Sequence, residues 1–160
     1  MRLRRLVGEL LLGGALVFGL NTYLARRVPD TAPPLPPAWR GTTPALGHGQ
    51  VVLVDFWASW CPICRADQAA IQVIARRYPT VIVATGSPPA AVARFARAHH
   101  WRTPVILDPH GTLARRYGAG RLPTAIIVGV HGHIRAAAVG YATTAGLRLR
   151  LWLAQHAPLG

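Results

Sequence analysis

The chain of 160 residues contains no lysine, only five acidic residues and only two cysteines. Because there is no second cysteine pair, a zinc site with four cysteine ligands is excluded. The formal net charge of +13 comes from 18 dispersed arginines, and no recognised nucleic-acid-binding motif accompanies them. We therefore expect no nucleic-acid partner. Two explanations of the charge stay open: a base-composition bias of the source genome, or attraction to anionic lipid headgroups or an acidic protein.

Residues 1–27 have the pattern of a targeting segment. Three arginines precede a mainly apolar stretch over 6–24, which is interrupted only by Glu9. A helix of that length just spans a bilayer core of about 30 Å. No clean A-x-A cleavage pattern follows, so we expect an uncleaved, single-pass transmembrane anchor. The small excess of arginines before the apolar stretch favours a cytoplasmic N-terminus, with the rest of the chain beyond the cytoplasmic membrane, where disulfides persist.

Residues 28–38 contain five prolines and are predicted to be a stiff, extended tether, and residues 39–160 are predicted to form one domain. Strand-like and helix-like segments alternate in this domain, which indicates an α/β fold with a central mixed sheet flanked by helices. The predicted strands are 51–57, 80–85, 105–107, 125–130 and 134–139. The predicted helices are 62–78, 88–100, 112–117 and 144–155.

Two of the predicted helices have one apolar face. In the helix over 62–78 this face contains Ile63, together with Ala70, Ile71, Ile74 and Tyr78. In the last helix we expect the inner face to be built from Leu147, Leu151 and either Trp152 or Leu153.

Both cysteines lie where the first predicted strand gives way to a helix, in the stretch Asp-Phe-Trp-Ala-Ser-Trp-Cys-Pro-Ile-Cys-Arg. Cys61 falls at the helix N-terminus, with Pro62 at the first helical position, where its missing N–H has no consequence. Backbone N–H groups and the helix dipole stabilise a thiolate there, so Cys61 is predicted to be the attacking nucleophile. Cys64, one turn further on, is predicted to be buried and to resolve a mixed disulfide by attacking Cys61.

Asp55 stands within an otherwise apolar strand and is predicted to be buried. Burial of a carboxylate among apolar residues raises its pKa towards neutrality. A carboxyl group with such a pKa suits proton exchange with Cys64, so Asp55 is the predicted base. For Trp57 and Trp60, packing in the core and at its rim and shielding of the thiolate are compatible interpretations.

A Cys-x-x-C pair is also half of a zinc site, and histidines are the only other candidate ligands. These are His99-His100 and the pair His131 and His133. Nothing in their segments predicts proximity to Cys61, and no metal site is expected.

The stretch from Asp55 to Arg65 resembles the strand-to-helix motif of the thioredoxin superfamily, with Asp55 at the position of the family's buried acid. Further along, Tyr-Gly-Ala-Gly-Arg-Leu-Pro-Thr followed by Ala-Ile-Ile-Val is similar to its cis-proline loop and the following strand. The resemblance covers residues 39–156 and implies a thioredoxin-like fold. It also implies that Pro123 is cis and packs against the disulfide, and that the backbone of Leu122 pairs with substrate. The resulting set of predicted substrate-binding residues is Trp60, Pro62, Leu122 and Pro123.

The anchor, the Pro-rich segment and the sequence Trp-Cys-Pro-x-Cys-Arg resemble the membrane-anchored bacterial branch of that superfamily. This TlpA-like branch includes the suppressor-of-copper-sensitivity D proteins, to which the C-terminal part is most similar. The resemblance implies a membrane-tethered periplasmic thiol–disulfide oxidoreductase without a cofactor. Such a protein would reduce disulfides of protein substrates with electrons from a transmembrane reductase.

This chain departs from the family pattern in its cis-proline loop, where Gly120-Arg121-Leu122 replaces the usual Arg-Gly followed by an apolar residue. Arg121 beside a substrate groove would alter the choice of partner. The sequence leaves alternatives open: a copper-binding or copper-stress module that uses the same two thiolates, or an oxidase that introduces disulfides. A scaffold with a relic site is disfavoured because Cys61, Cys64, Asp55 and Pro123 are all present.

Overall fold

In the computed structural model, the described residues are Gly13 and 28–156. The predicted transmembrane anchor over 1–27 therefore lies, apart from Gly13, outside the described residues. Within the described part, no helix is both long enough and apolar enough to cross a bilayer.

Five strands and four helices alternate along the described residues. The strands are β1 (Val52–Trp57), β2 (Thr80–Thr85), β3 (Val105–Asp108), β4 (Thr124–Val128) and β5 (Ile134–Val139). The helices are α1 (Pro62–Ala75), α2 (Pro89–Ala98), α3 (Thr112–Arg116) and α4 (Thr144–His156). The strands form one sheet in the order β3-β2-β1-β4-β5, in which β1, β2 and β3 are parallel and β4 is antiparallel to both neighbours. The predicted thioredoxin-like α/β fold with a mixed sheet is confirmed.

Helix α1 ends at Ala75, three residues earlier than predicted. The N–H groups of Arg77 and Tyr78 both donate to the carbonyl of Ile74, at 2.9 Å and 3.1 Å, so the chain tightens into a turn. Pro79 follows, and a proline disfavours the helical conformation in the residue before it. The helical spacing of apolar residues continues to Tyr78, but the helical conformation of the backbone ends at Ala75.

Successive side chains of β1 enter two separate apolar layers, as expected for the buried central strand of a sheet covered on both faces. Leu53 and Trp57 belong to the layer that contains the two cysteines and the inner faces of α1 and α4. We call this the dithiol face. Val54 and Phe56 belong to the layer that contains Tyr117 and the inner side of α3, which we call the opposite face.

Ile63 and both alternatives given for the third inner-face position of α4 are exposed instead of facing the core. Trp152 and Leu153 on α4 are 52% and 47% exposed, because the inner face of that helix is built from Leu147, Leu151 and Ala154. These three are spaced by four and three residues and so share one side of the helix, from which 152 and 153 are rotated away. Ile63 has the spacing of the inner face of α1, but in the first turn, next to Cys61, it is 53% exposed.

The Pro-rich segment packs against the domain. The N–H of Ala32 donates to the carbonyl of Gly132 at 2.9 Å, beside β5, and the N–H of Trp39 donates to Val105 of β3 at 2.8 Å. The segment 28–40 therefore reaches both outer strands of the sheet. Its hydrogen bonds leave fewer backbone N–H and C=O groups of these edge strands unpaired. Its apolar side chains pack on the opposite face; they are Val28, Ala32, Leu35 and Ala38. Sequence alone indicated a spacer here, and the structure shows a packed strap.

Candidate active site

Cys61 and Cys64 are joined by a disulfide at the start of α1, with their Cα atoms 5.2 Å apart. Cys61 is the N-cap residue of α1, and its extended backbone conformation is followed by Pro62 in the first turn. The Sγ of Cys61 accepts a hydrogen bond from the N–H of Cys64 at 3.2 Å. The first N–H groups of a helix have no partner within the helix and mark the positive end of its dipole. The local fold thus places the Cys61 sulfur where negative charge is stabilised.

The two sulfur-bearing residues differ in accessibility. Cys61 keeps 6% of its surface exposed, whereas Cys64 is completely buried within the dithiol face. An external sulfur atom can therefore approach Cys61 and not Cys64.

Asp55 is fully buried on β1, beneath the first turns of α1. Its Oδ2 accepts a hydrogen bond from Nε2 of Gln68 at 2.9 Å, and its Oδ1 has no partner among the described residues. Gln68 follows Cys64 by four positions, so both side chains leave the same side of α1. Burial raises the pKa of Asp55 to about 7; repulsion from Asp67 adds to this rise, and the Gln68 hydrogen bond opposes it. The raised pKa of Asp55 agrees with the direction expected from the sequence, and its role as the base stays a prediction.

A second buried acid, Asp67, was not identified from the sequence. It lies on α1, and its Oδ1 accepts a hydrogen bond from the N–H of Ala142 at 3.2 Å, which connects α1 to the loop before α4. Burial raises the pKa of Asp67 to about 6, against the effect of that hydrogen bond. Its Oδ2 has no partner among the described residues. The sequence spacing could have indicated that Asp67 faces inward, because it lies three residues after Cys64 and four before Ile71, on the inner face of the helix.

Trp60 forms an exposed rim beside the disulfide. Its Nε1 donates to the carbonyl of Gly86 at 2.9 Å, while the neighbouring Ser59 N–H donates to Oγ of Ser87 at 2.9 Å. These two bonds fix the loop before Cys61 against the loop after β2. Pro62 is exposed in the same region, whereas Trp57 is buried.

The predicted cis-proline loop lies at the same end of the sheet as the cysteines. The Leu122–Pro123 peptide bond is cis, the conformation that the family resemblance implies. Phe56 of β1 is paired with Thr124 of β4, so Pro123 comes next to Trp57, four residues before Cys61. Leu122 is half-buried. The structure thus brings the two sequence motifs together, and contact of Pro123 with the disulfide stays a prediction.

No set of three or more His, Cys, Asp or Glu side chains within the described ranges is arranged to hold a metal ion. The histidines of the zinc alternative lie elsewhere: His99 and His100 follow α2, and His131 and His133 lie in the turn between β4 and β5. A soft metal ion at this site would be coordinated by the sulfur atoms of the two cysteines.

Comparison with known proteins agrees with this geometry. The family model described as AhpC/TSA family matches residues 42–137, and the chain belongs to that family. The predicted place in the thioredoxin superfamily, in its TlpA-like branch, is confirmed. The more specific likeness to suppressor-of-copper-sensitivity D proteins stays a prediction.

Three relatives illustrate the similarity. The thiol:disulfide interchange protein DsbE of Allochromatium vinosum is 35% identical over 95 residues, which are 58% of this chain and 52% of that protein. A solved structure of a candidate thiol:disulfide interchange protein DsbE from Chlorobium tepidum has a TM-score of 0.63 at 26% identity, covering 80% of this chain and 97% of the other. For a candidate thioredoxin from Neisseria meningitidis the TM-score is 0.71 at 24% identity, with 80% and 91% covered, which shows the fold. The chain spans about half the length of the first two curated relatives it matches.

Proposed function

We propose that this chain is a membrane-tethered thiol–disulfide oxidoreductase that reduces disulfides of protein substrates in the periplasm. The observation that carries the proposal is the position of Cys61, an accessible sulfur at the N-terminus of α1, one turn before the buried Cys64, with the buried carboxyl of Asp55 hydrogen-bonded to Gln68 of the same helix. The names of the relatives, a thiol:disulfide interchange protein among them, support the same chemistry.

In the first step the Cys61 thiolate of the reduced chain attacks one sulfur of a substrate disulfide. A Cys61–substrate disulfide forms, the substrate S–S bond breaks, and the other substrate sulfur leaves as a thiolate that takes a proton from solvent. The N-cap position favours this attack because the helix dipole and the Cys64 N–H stabilise the attacking thiolate.

In the second step Cys64 attacks the Cys61 sulfur of the mixed disulfide. The Cys64 thiol first gives its proton to the Asp55 carboxylate, whose pKa of about 7 makes it a suitable acceptor. The Cys61–Cys64 disulfide forms, the second substrate thiolate leaves, and two electrons have passed to the substrate. The structure contains this oxidised product state.

The proposed substrates are proteins, because the surroundings of the disulfide form an exposed apolar surface rather than a closed small-molecule pocket. This surface includes Trp60, Pro62 and Ile63, with half-buried Leu122 and the cis Pro123 beside it. Turnover requires that the disulfide be reduced again, and we assign this step to a transmembrane reductase in the cytoplasmic membrane, to which residues 1–27 would anchor the chain.

A trapping experiment tests the assignment of the two cysteines. In the full chain, Cys61→Ser abolishes disulfide exchange with a model protein disulfide, whereas Cys64→Ser accumulates a mixed disulfide visible on a non-reducing gel. Ser59→Ala serves as a control with both sulfurs intact and retains turnover. Continued turnover in the Cys61→Ser variant would overturn the choice of nucleophile.

The direction of electron flow is tested by the equilibrium redox potential of the full chain, titrated against glutathione or dithiothreitol. A potential near or below about −200 mV agrees with a reductant supplied by a membrane donor, whereas a potential near about −120 mV identifies an oxidase. The second result would leave the oxidoreductase assignment intact and reverse its direction.

A further inference from the structure

A cavity of about 860 Å³ lies at the end of the sheet away from the disulfide. Its walls come from the end of α1 and the turn that follows it, the loop between α2 and β3, Thr80 at the start of β2, and the segment that contains Thr42 and Pro44. Its volume is within the range of small-molecule sites in proteins. The residue Thr80 at its edge pairs with Leu53 at the start of β1, whereas Cys61 follows the end of that strand. The cavity is therefore separate from the dithiol.

The charged residues that line this cavity are all basic. Arg76, Arg77 and Arg102 contribute three guanidinium groups, and His99 and His100 lie beside them. None of the four aspartates in the described ranges lines it. A concave surface lined by charges of one sign concentrates the electrostatic field and attracts a counter-ion. Arg76 and Arg77 follow the C-terminal end of α1, where a cation offsets the helix dipole, so their charges also have a structural explanation. Arg102 lies in a loop, and the helix dipole does not explain its charge.

Gln72 lines the same cavity and carries a buried hydrogen-bond donor without a partner among the described residues. The Oε1 of Gln72 accepts a hydrogen bond from Oγ1 of Thr103 at 3.0 Å, which orients the amide. Nε2 of Gln72 is buried and has no partner among the described residues. A buried N–H without an acceptor is rare in native proteins and is explained by a partner of another kind, such as an ion.

His100 lines the cavity in a backbone conformation that ordinarily belongs to glycine. Its φ is +51°, and it follows the C-cap residue of α2. The N–H of Trp101 donates to the carbonyl of Ala96 at 2.9 Å and that of His100 to Arg97 at 3.2 Å, which is the Schellman arrangement. Glycine is the usual residue at this position because a side chain strains the left-handed conformation. His100 adopts this conformation although it carries a side chain, and the residue lines the cavity.

We propose that this cavity is a binding site for a phosphoryl group. Planar guanidinium groups match phosphate oxygens in pairs, and three of them suit a group with three or more acceptor oxygens and up to two negative charges. Gln72 and His100 add polar side chains to the lining of the same cavity. The phosphoryl group belongs either to a soluble phosphate or to the headgroup of an anionic phospholipid.

The test measures binding to the full chain in a maltoside detergent, whose headgroup carries neither phosphate nor charge. The probes are inorganic phosphate and dihexanoyl phosphatidylglycerol below its micellar concentration, with dihexanoyl phosphatidylcholine as the zwitterionic reference. Isothermal titration and ³¹P line broadening at constant ionic strength report the affinities, because surface electrostatics depend on salt.

Two cavity variants and one matched control separate a site from general basicity. Arg102→Gln is expected to lower the affinity about tenfold or more, the value of one charge-assisted hydrogen bond. Arg94→Gln removes the same charge from an exposed position of α2 outside the cavity, and we expect a change of less than about twofold there. His100→Gly relieves the backbone strain, so it is expected to raise Tm while weakening binding, a combination that misfolding does not produce.

The site is supported if inorganic phosphate binds and the two cavity variants weaken it selectively, which identifies a soluble source. It is equally supported, with a lipid source, if only phosphatidylglycerol binds with that pattern of variants. Absence of binding by both probes overturns the proposal, and so does a loss in Arg94→Gln as large as in Arg102→Gln. Cys61→Ser is expected to leave binding unchanged, so this outcome is independent of the redox activity.

Discussion

Two buried aspartates, Asp55 on β1 and Asp108 at the end of β3, occupy contrasting environments. Each oxygen of Asp108 accepts a backbone hydrogen bond, from the N–H of Leu113 at 3.1 Å and of Ala114 at 3.0 Å, so this side chain fixes the first turn of α3 to the end of β3. Asp55 receives one side-chain hydrogen bond from Gln68, and its other oxygen has no partner among the described residues. A carboxyl group with both oxygens bonded to backbone N–H groups has a structural role, whereas a buried carboxyl with an unsatisfied oxygen is available to accept a proton.

The contrast between Asp55 and Asp108 predicts that substitution of Asp55 has the largest effect on disulfide exchange. Asp55→Asn removes the proton acceptor proposed for Cys64, so the second step, decay of the mixed disulfide, is expected to slow by about 100-fold. The first step depends on the N-cap position of Cys61 and is expected to keep its rate. Stopped-flow measurement of both steps with a fluorescent disulfide substrate checks this. An equal loss in both steps would show that Asp55 acts on Cys61 or on the fold instead.

Asp108 is predicted to show the reverse behaviour. Asp108→Ala leaves two N–H groups at the start of α3 without an acceptor, so the free energy of unfolding is expected to fall by about 2–3 kcal/mol. Both rates of disulfide exchange stay unchanged in the folded protein. Urea unfolding measures the loss, with Asp30→Ala, an exposed acid, as a control that changes stability by less than about 0.5 kcal/mol. Slower exchange in folded Asp108→Ala would remove the distinction between the two acids.

The local sequence was sufficient to predict the burial and raised pKa of Asp55. It was insufficient to predict the burial of Asp67 and the full inner face of α4. An acid within a continuous apolar strand has one outcome, burial with a raised pKa, so that prediction needed no tertiary information. Asp67 had the spacing of an inner-face residue, but an acid on a helix is usually solvated, and only the packed loop at Ala142 explains its burial. On α4, Leu147 and Leu151 face inward as predicted, but the third inner-face residue is Ala154 and not either of the alternatives Trp152 and Leu153.

The strap is the clearest case in which composition did not determine structure. Five prolines predict an extended chain, since each proline restricts φ and removes a donor. Whether that chain stands free or packs depends on an apolar surface left uncovered elsewhere, here the opposite face of the sheet. Leu35 and Ala38 pack on it, which no local pattern in 28–38 indicates.

The raised pKa of Asp55, about 7, also predicts how stability depends on pH. Above pH 4 the unfolded chain loses the proton of this carboxyl, whereas the folded chain retains it until about pH 7. The folded state therefore binds more protons in this window, and the free energy of unfolding falls as pH rises from 4 to 7. In Asp55→Asn this fall is expected to be shallower by up to about 1.4 kcal/mol per pH unit. Urea titrations of the oxidised chain at several pH values measure the difference, and identical slopes would contradict the raised pKa.

The smallest predicted effect separates the two acids of the dithiol face. The charge of Asp67 raises the pKa of Asp55, so Asp67→Asn is expected to lower that pKa and move the midpoint of the pH–rate profile of the second step to lower pH. Because an uncharged amide replaces a single nearby charge, we expect a shift of less than about one pH unit. The asparagine oxygen still accepts from the N–H of Ala142, so the loop before α4 keeps its position. Asp30→Asn, which removes an exposed charge, should leave the midpoint unchanged, and an upward shift in Asp67→Asn would mean that Asp67 itself accepts the proton.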